Sequence, residues 1–190
     1  TIVVARDPLF VSTDLEQLSS GFGVLSKNVV VHNCEDKSHV YVGETSFGTK
    51  VYLDEAFAGA DVKILTGVIE PHPYAGYSGG RDAVLPGVSS IETINHNHSF
   101  VLHPKSRTGL LKGNPLHEDM TEAARLAGVD FALNLVVNKK GVVEAFAGDL
   151  DSVFSGGVGL LEEMSKVQVE RRADIIVVSP GGTPFDSDLY

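Results

Sequence analysis

The sequence contains no tryptophan and only one cysteine, Cys34. A single cysteine excludes an intrachain disulfide, and the simplest interpretation is a protein of a reducing, cytoplasmic compartment. No apolar run reaches the roughly 18 residues that a membrane-spanning helix needs, and no signal-peptide pattern opens the chain. We therefore expect a soluble protein with no membrane partner, in which Cys34 is an ordinary small residue rather than a nucleophile.

Basic residues are also scarce, since 15 Lys and Arg stand against 25 Asp and Glu and give a net charge of −10. A nucleic-acid binder needs a phosphate-neutralising surface, so we expect no nucleic-acid partner. Glycine, by contrast, is abundant, with 20 residues, and eight of them cluster in the runs GYSGGR, SGGVG and SPGGTP. Such clusters are typical of tight turns or of close approach of the backbone to a ligand.

Short β-branched runs predict strands, and capped amphipathic segments predict helices. The expected strands are residues 2–5, 28–32, 39–42, 50–53, 62–65, 131–137, 142–146 and 174–179. The expected helices are a short one after Ser12, then residues 54–60, 91–100, 116–126 and 150–170, the last with a break left open near Gly156. This alternation favours an α/β layered fold with a mostly parallel sheet, flanking helices and the start of a second α/β domain. The chain begins without methionine and ends without a capping helix, which is typical of a fragment.

The most unusual segment, residues 70–87, is so rich in Pro and Gly that we predict a loop without regular structure. It follows the strand at 62–65, and ligands of open α/β sheets bind beyond the carboxyl ends of strands. Ser78, Gly79, Gly80 and Arg81 could direct a hydroxyl, backbone N–H groups and a guanidinium at one anion. The segment matches neither the P-loop nor the dinucleotide motif, so a plain glycine-rich turn stays open as the alternative.

Three histidines stand out as candidates for chemistry. His72 lies between Pro71 and Pro73, whose restrained backbone suits a proton-transfer group, although a lone loop histidine is more often structural. His96 and His98 are two positions apart, and on a helix such positions face different sides, which predicts one metal ligand rather than two. The remaining histidines are expected to face solvent or to form hydrogen bonds; they are His32, His39, His103 and His117.

Five segments together resemble the nickel-dependent lactate racemase family, and the resemblance extends over nearly the whole chain. They are IEPH at 69–72, AGYSGGR at 75–81, LPG at 85–87, GNPLHEDM at 113–120 and FALN at 131–134. The resemblance implies a nickel pincer nucleotide, a pyridinium-3,5-bisthiocarboxylic acid mononucleotide that holds nickel through sulfur. It also implies a racemase or epimerase that takes a hydride from a small 2-hydroxy acid substrate and returns it. Residues 1–165 would then be the main part of an N-terminal cofactor-binding domain, and residues 166–190 a connector and the first strand of a C-terminal domain.

The resemblance also assigns roles to individual residues. His72 matches a catalytic histidine that exchanges the substrate hydroxyl proton, and His98 matches the nickel-binding histidine. Residues 78–82, from Ser78 to Asp82, match the segment that binds the cofactor. Asp82, however, stands where the family has the lysine that bonds to the cofactor, and Leu9 stands where it has a second catalytic histidine.

A carboxylate cannot replace the lysine amine in that bond, so the cofactor is expected to bind without a covalent tether, if it binds. The same departures leave open a non-catalytic relative that binds a nucleotide or a metal. A structural α/β protein with a glycine-rich turn is the third alternative.

Overall fold

The computed structural model describes residues 1–5, 28–171 and 173–177. Its strands are β1 (Ile2–Val4), β2 (Val29–Val31), β3 (His39–Glu44), β4 (Lys50–Asp54), β5 (Ile64–Val68), β6 (Pro71–His72), β7 (Gly76–Tyr77), β8 (Phe131–Asn138) and β9 (Gly141–Gly148). Its α-helices are α1 (Glu55–Ala58), α2 (Ile91–His98), α3 (Pro115–Leu126) and α4 (Leu150–Ser165). The helix predicted after Ser12, the family departure at Leu9 and residues 178–190 lie outside the described residues.

The described strands form small sheets of both kinds. β1 pairs with β2 and β5 pairs with β8 in parallel, whereas β3 with β4, β6 with β7, and β8 with β9 are antiparallel. The α/β class with flanking helices is confirmed, but three of the five described strand pairs are antiparallel, where a mostly parallel sheet was expected. The reason is local, because a tight connection such as the one between Asn138 and Gly141 can join only antiparallel strands.

The helices begin where polar side chains cap them. Asp54, Ser90, Asn114 and Asp149 each accept backbone N–H groups of the first turn of α1, α2, α3 and α4 respectively. α3 starts with Pro115 at its first position, one residue before the predicted start, and buries a stripe of apolar residues. Each large aliphatic side chain buried there stabilises the fold by about 1.5–3 kcal/mol.

α4 is continuous where the sequence left a break open, and it is shorter than predicted. It runs through Gly156 and Gly157 without a break and ends at Ser165, five residues before the predicted end. A Cβ on Gly157 would lie 2.8 Å from Cγ1 of Ile69, so this glycine permits close packing of α4 on the chain after β5. A glycine run inside a helix is here a packing feature and not a helix end.

Two other predictions are corrected. Residues 70–87 are not a loop throughout, since they contain β6, β7 and a 3₁₀ turn over Gly80–Ala83. Residues 174–177, predicted as strand, have no strand structure, and Ile175 and Val177 are 84% and 93% exposed. A strand needs a neighbour for its backbone hydrogen bonds, and no strand within the described ranges pairs with them.

Two apolar clusters hold the elements together. The larger contains Leu53, Leu85 and Ile94, and the smaller joins Ile69 to Phe154 of α4. Cys34 is buried in the larger cluster, in agreement with its interpretation as a small residue of the fold. Among the helices that the structure describes, none combines the length and the apolar character needed to cross a bilayer.

Candidate functional site

A cavity of about 420 Å³ lies beside the carboxyl-terminal half of β5. It is lined by five of the residues that the sequence singled out, namely His72, Ser78, Gly79, Asp82 and His98. They come from the β6–β7 hairpin, the segment before and within the 3₁₀ turn, and the end of α2. The fold therefore brings the two candidate histidines and part of the glycine-rich segment to one cavity, at the place that strand topology predicts.

His72 is oriented by its own hairpin. Its Nδ1 accepts the backbone N–H groups of Tyr74 at 3.2 Å and Ala75 at 2.9 Å. Gly76, paired with His72 across the hairpin, has φ +82°, and a Cβ there would lie 2.5 Å from the carbonyl oxygen of Leu110. Because Nδ1 is an acceptor, the proton of the neutral ring resides on Nε2. The backbone thus fixes both the direction and the tautomer of this imidazole.

His98 and His96 lie on different sides of α2, as their spacing predicts. His98 is half-buried and lines the cavity. His96 is exposed, with Nδ1 2.7 Å from Oγ1 of Thr49 and its ring edge-on to Phe100. Of these two imidazoles, His98 lines the cavity and His96 does not.

The carboxyl group of Asp82 has a pKa above that of an ordinary aspartate. Its Oδ2 accepts the N–H of Gly79 at 3.2 Å, and its Oδ1 lies 3.3 Å from Nη1 of Arg81. Burial raises the pKa of Asp82 to about 6, although the Arg81 charge and the Gly79 N–H oppose the shift. This carboxyl group therefore exchanges its proton near neutral pH, within a cavity that also contains imidazoles.

The remaining donors of the glycine-rich segment do not converge on one point. The Gly80 N–H donates to Oδ1 of Asn134 at 2.9 Å, and Nη2 of Arg81 donates to the Tyr77 carbonyl at 2.7 Å. The hydroxyl of Ser78 donates to the Val68 carbonyl at 3.0 Å. Gly80 and Arg81 do not line the cavity, and the guanidinium of Arg81 lines a second one. The Gly80 N–H, the Ser78 hydroxyl and Nη2 of Arg81 thus donate within the described fold, and they do not form the expected anion cradle at this cavity.

Asn97 is a cavity residue that the sequence did not reveal. It is fully buried, and its Nδ2 donates to Oδ2 of Asp119 at 2.7 Å and to the Leu116 carbonyl at 3.3 Å. These acceptors fix the amide orientation, so Oδ1 points elsewhere, and it has no hydrogen-bond partner among the described residues. A ligand N–H or O–H group could satisfy this acceptor.

Asp119 anchors this arrangement from behind the cavity. Besides Asn97, it accepts the hydroxyls of Thr45 at 2.6 Å and Thr49 at 2.8 Å, and it is fully buried. Asp119 was not among the candidate residues predicted from the sequence. Its spacing from Leu116 and Ala123, one turn away on either side, is the signal that places it on the buried face.

The candidate metal site is sparse in protein ligands. Within residues 1–5, 28–171 and 173–177, no group of three or more His, Cys, Asp or Glu side chains is placed to hold a metal ion. A metal bound to His98 would need its other ligands from outside this set. Sulfur donors on a bound molecule would meet that need.

Comparison with known proteins gives one consistent result. The chain matches the lactate racemase N-terminal domain family over residues 12–109. It is 36% identical to the lactate racemase of Thermoanaerobacterium thermosaccharolyticum over 185 residues, which are 94% of this chain and 43% of that protein. It is 38% identical to the lactate racemase of Lactiplantibacillus plantarum over 182 residues, 92% of this chain and 43% of that protein. The chain thus spans less than half the length of these relatives.

Solved structures agree with the sequence relatives. The lactate racemase apoprotein of T. thermosaccharolyticum superposes with a TM-score of 0.78 at 34% identity, covering 85% of this chain and 40% of that one. A protein from Thermotoga maritima superposes with a TM-score of 0.66 at 18% identity, covering 80% of this chain and 44% of that one. The second likeness concerns the fold alone.

Proposed function

Since the chain belongs to the lactate racemase N-terminal domain family, we propose that it is the cofactor-binding part of a racemase or epimerase of small 2-hydroxy acids. The observation that carries the proposal is the single cavity lined by both His72 and His98. Residues 166–190 are, in this proposal, the connector to a C-terminal domain and the first segment of that domain, and residues 174–177 pair with no strand within the described ranges. That domain would supply the contacts to the substrate carboxylate.

The residues present fit a nickel pincer nucleotide. A volume of about 420 Å³ lies in the range of small-molecule sites, roughly 300–1,000 Å³. The imidazole of His98 is a suitable nickel ligand beside sulfur donors. The unsatisfied Oδ1 of Asn97, next to His98 in sequence, offers an acceptor for a nucleotide hydroxyl. Asp82 offers no amine, so the nucleotide would be held without a covalent bond.

When bound, this cofactor would supply an acceptor that takes a hydride from the 2-carbon of the substrate and returns it to either face. The residues of this chain would transfer the proton of the substrate hydroxyl. His72, with Nδ1 held by the N–H groups of Tyr74 and Ala75, would exchange that proton at Nε2. General acid–base catalysis of this kind is typically worth about 10²–10⁴ in rate.

A second candidate function is a relative that binds a nucleotide or metal without turnover. The observation that favours it is Asp82, which lines the cavity where the family resemblance places a lysine. An ionised carboxylate repels phosphate and thiocarboxylate groups unless a cation offsets its charge. Arg81, 3.3 Å away, supplies part of that offset from outside the cavity.

Both candidates are tested on the full-length protein produced in cells that synthesise the cofactor. Nickel content, intact mass and racemisation of lactate and other 2-hydroxy acids are measured for the unmodified protein, His98→Ala and the matched control His96→Ala. We expect the protein without substitutions to contain stoichiometric nickel and to have the mass of its sequence, with no covalent adduct. Only His98→Ala should lose nickel. Nickel without turnover on any 2-hydroxy acid would favour the second candidate. Absence of nickel in the unmodified protein, or equal loss in both variants, would contradict the assigned site.

A further inference from the structure

A second cavity, of about 340 Å³, lies between α3, α4 and the 3₁₀ turn Gly80–Ala83. It shares no lining residue with the first cavity. Its polar lining comprises Arg81 of the turn, His117, Thr121 and Arg125 of α3, and Asp151 and Ser155 of α4. Apart from the charge that Arg81 presents to Asp82, the proposed function uses none of these side chains.

Arg81 is the buried charge of this cavity. It is 2% exposed, and its guanidinium carbon lies 4.2 Å from the centroid of the Phe154 ring. Nη2 is satisfied by the Tyr77 carbonyl, and Nη1 faces Asp82 at 3.3 Å without forming a hydrogen bond. Nε has no hydrogen-bond partner among the described residues. A planar cation is thus held on an aromatic face with donor capacity unused.

His117 lies against the same aromatic ring. Its imidazole stacks on Phe154 with a centroid distance of 5.6 Å and an interplanar angle of 20°, and its Nδ1 is buried without a hydrogen-bond partner in the described structure. Burial lowers the pKa of His117 to about 3, and the charges of Arg81 and Arg125 add to the shift. The ring is therefore neutral at physiological pH and can donate one N–H without adding charge.

Arg125 and Asp151 form an ion pair of 2.7 Å, with 58% and 55% of their side chains exposed. Such exposed pairs contribute little to stability, so the Arg125 guanidinium is easily shared with a ligand. The opposing charges are Asp82 behind Arg81 and Asp151 beside Arg125. Each cation is therefore only partly neutralised by a carboxylate that a ligand could displace or outcompete.

We propose that this second cavity binds a small oxyanion, a phosphate or carboxylate group, between the guanidinium groups of Arg81 and Arg125. Guanidinium groups match both kinds of oxyanion through paired N–H donors, and a buried, pre-packed one loses little freedom on binding. The neutral imidazole of His117 supplies a further donor. The side chains that line this site do not line the first cavity, so binding here can be measured apart from the proposed racemase function.

The test is a calorimetric titration of the full-length protein with inorganic phosphate and, separately, with acetate, at constant ionic strength. Arg81→Lys keeps the charge but removes the planar set of donors, and we expect it to weaken binding at least about tenfold. The matched control, Arg107→Lys, changes an exposed arginine and should bind as the unmodified protein does. Tighter binding of phosphate than of acetate assigns a phosphate group, and the reverse assigns a carboxylate.

Three further variants keep the proposal falsifiable if Arg81→Lys folds poorly. Asp151→Asn removes the carboxylate that competes for Arg125 and should strengthen binding, whereas Glu163→Gln, an exposed change on the same helix, should not. His98→Ala should leave binding unchanged. Absence of binding to the unmodified protein, weaker binding by Asp151→Asn, or loss in His98→Ala would each overturn the proposal.

Discussion

Asp82 and Arg81 face each other across 3.3 Å, from Oδ1 to Nη1, yet the two side chains line different cavities. The 3₁₀ turn that carries them is therefore the wall between the two sites. Its position depends on packing against β5, which supplies Gly67 and Leu65 at the contact. A change in the charge of Asp82, in the first cavity, therefore changes the electrostatic energy of the buried Arg81 guanidinium in the second cavity.

The raised pKa of Asp82 should make the free energy of unfolding depend on pH. Burial raises its pKa to about 6 from an ordinary 3.8, so the folded state binds this proton more tightly than the unfolded state does. Its stabilising contribution is therefore full below about pH 4 and is lost as the pH rises through 6. Asp82→Asn should match the unmodified protein near pH 4 and exceed it at pH 7 by on the order of 1–3 kcal/mol.

The measurement is the free energy of unfolding by urea at several pH values between 4 and 7. Asp61→Asn, a change at an exposed carboxyl group, gives the surface baseline. A difference between Asp82→Asn and the unmodified protein that stays constant over this range would contradict the raised pKa.

A substitution should separate the structural role of His72 from its chemical role. Asn in its place keeps a side-chain acceptor near the N–H groups of Tyr74 and Ala75 but has no titratable ring. His72→Asn should therefore keep the melting temperature and nickel content close to those of the unmodified protein. Its racemisation rate should fall by about 10²–10⁴. The exposed variant His103→Asn is the reference. If the two variants have the same racemisation rate, His72 only orders the hairpin.

Gly67 shows why a glycine is needed where β5 meets the turn. A Cβ on Gly67 would lie 2.9 Å from the backbone nitrogen of Gly80, an atom that cannot move aside without shifting the turn. Gly67→Ala should destabilise the protein by about 1–3 kcal/mol, as overpacking does. Gly159→Ala is the matched control, because Gly159 is exposed on α4 with no atom within 4 Å of its Cβ position. That change should be stabilising by up to about 1 kcal/mol; melting temperatures that move in the same direction would contradict the contact.

Local signals made much of the fold predictable. The predicted helix 116–126 and the predicted strands 131–137 and 142–146 are found within one or two residues of their expected bounds. Their ends are set by the cap at Asn114 and the turn at residues 138–141, and caps and turns depend on neighbouring residues alone. The same applies to the opposite faces of His96 and His98, which follow from helix geometry.

Long-range packing decided the features that sequence reasoning missed. Arg81 was expected beside Ser78 and Gly79 in an anion cradle, but Phe154, far along the chain, supplies the face on which its guanidinium lies. Gly157 suggested a break in α4 until its contact with Ile69 explained it. No local pattern encodes such partners, because they meet only in the folded chain.

The last prediction concerns Asp119, whose buried carboxylate ties α3 to α2 and to the β3–β4 hairpin. Asp119→Ala would leave the donors of Thr45, Thr49 and Asn97 without their acceptor in a buried place. Stranded buried donors cost about 1–3 kcal/mol each, and hydroxyls can partly reorient, so we expect a loss on the order of 3 kcal/mol in unfolding free energy. Because α2 carries His98, nickel affinity should fall as well.

Glu122→Ala is the matched control for this change. Glu122 lies on the same helix and also accepts two hydrogen bonds from the hairpin, from the N–H and the hydroxyl of Ser46, but in an exposed place. Water can replace these bonds, so the loss should be below about 1 kcal/mol and the nickel content unchanged. Equal destabilisation by the two variants would show that the buried hydrogen bonds of Asp119 stabilise the protein no more than the exposed ones of Glu122. Full nickel retention in a folded Asp119→Ala protein would show that the network does not position His98.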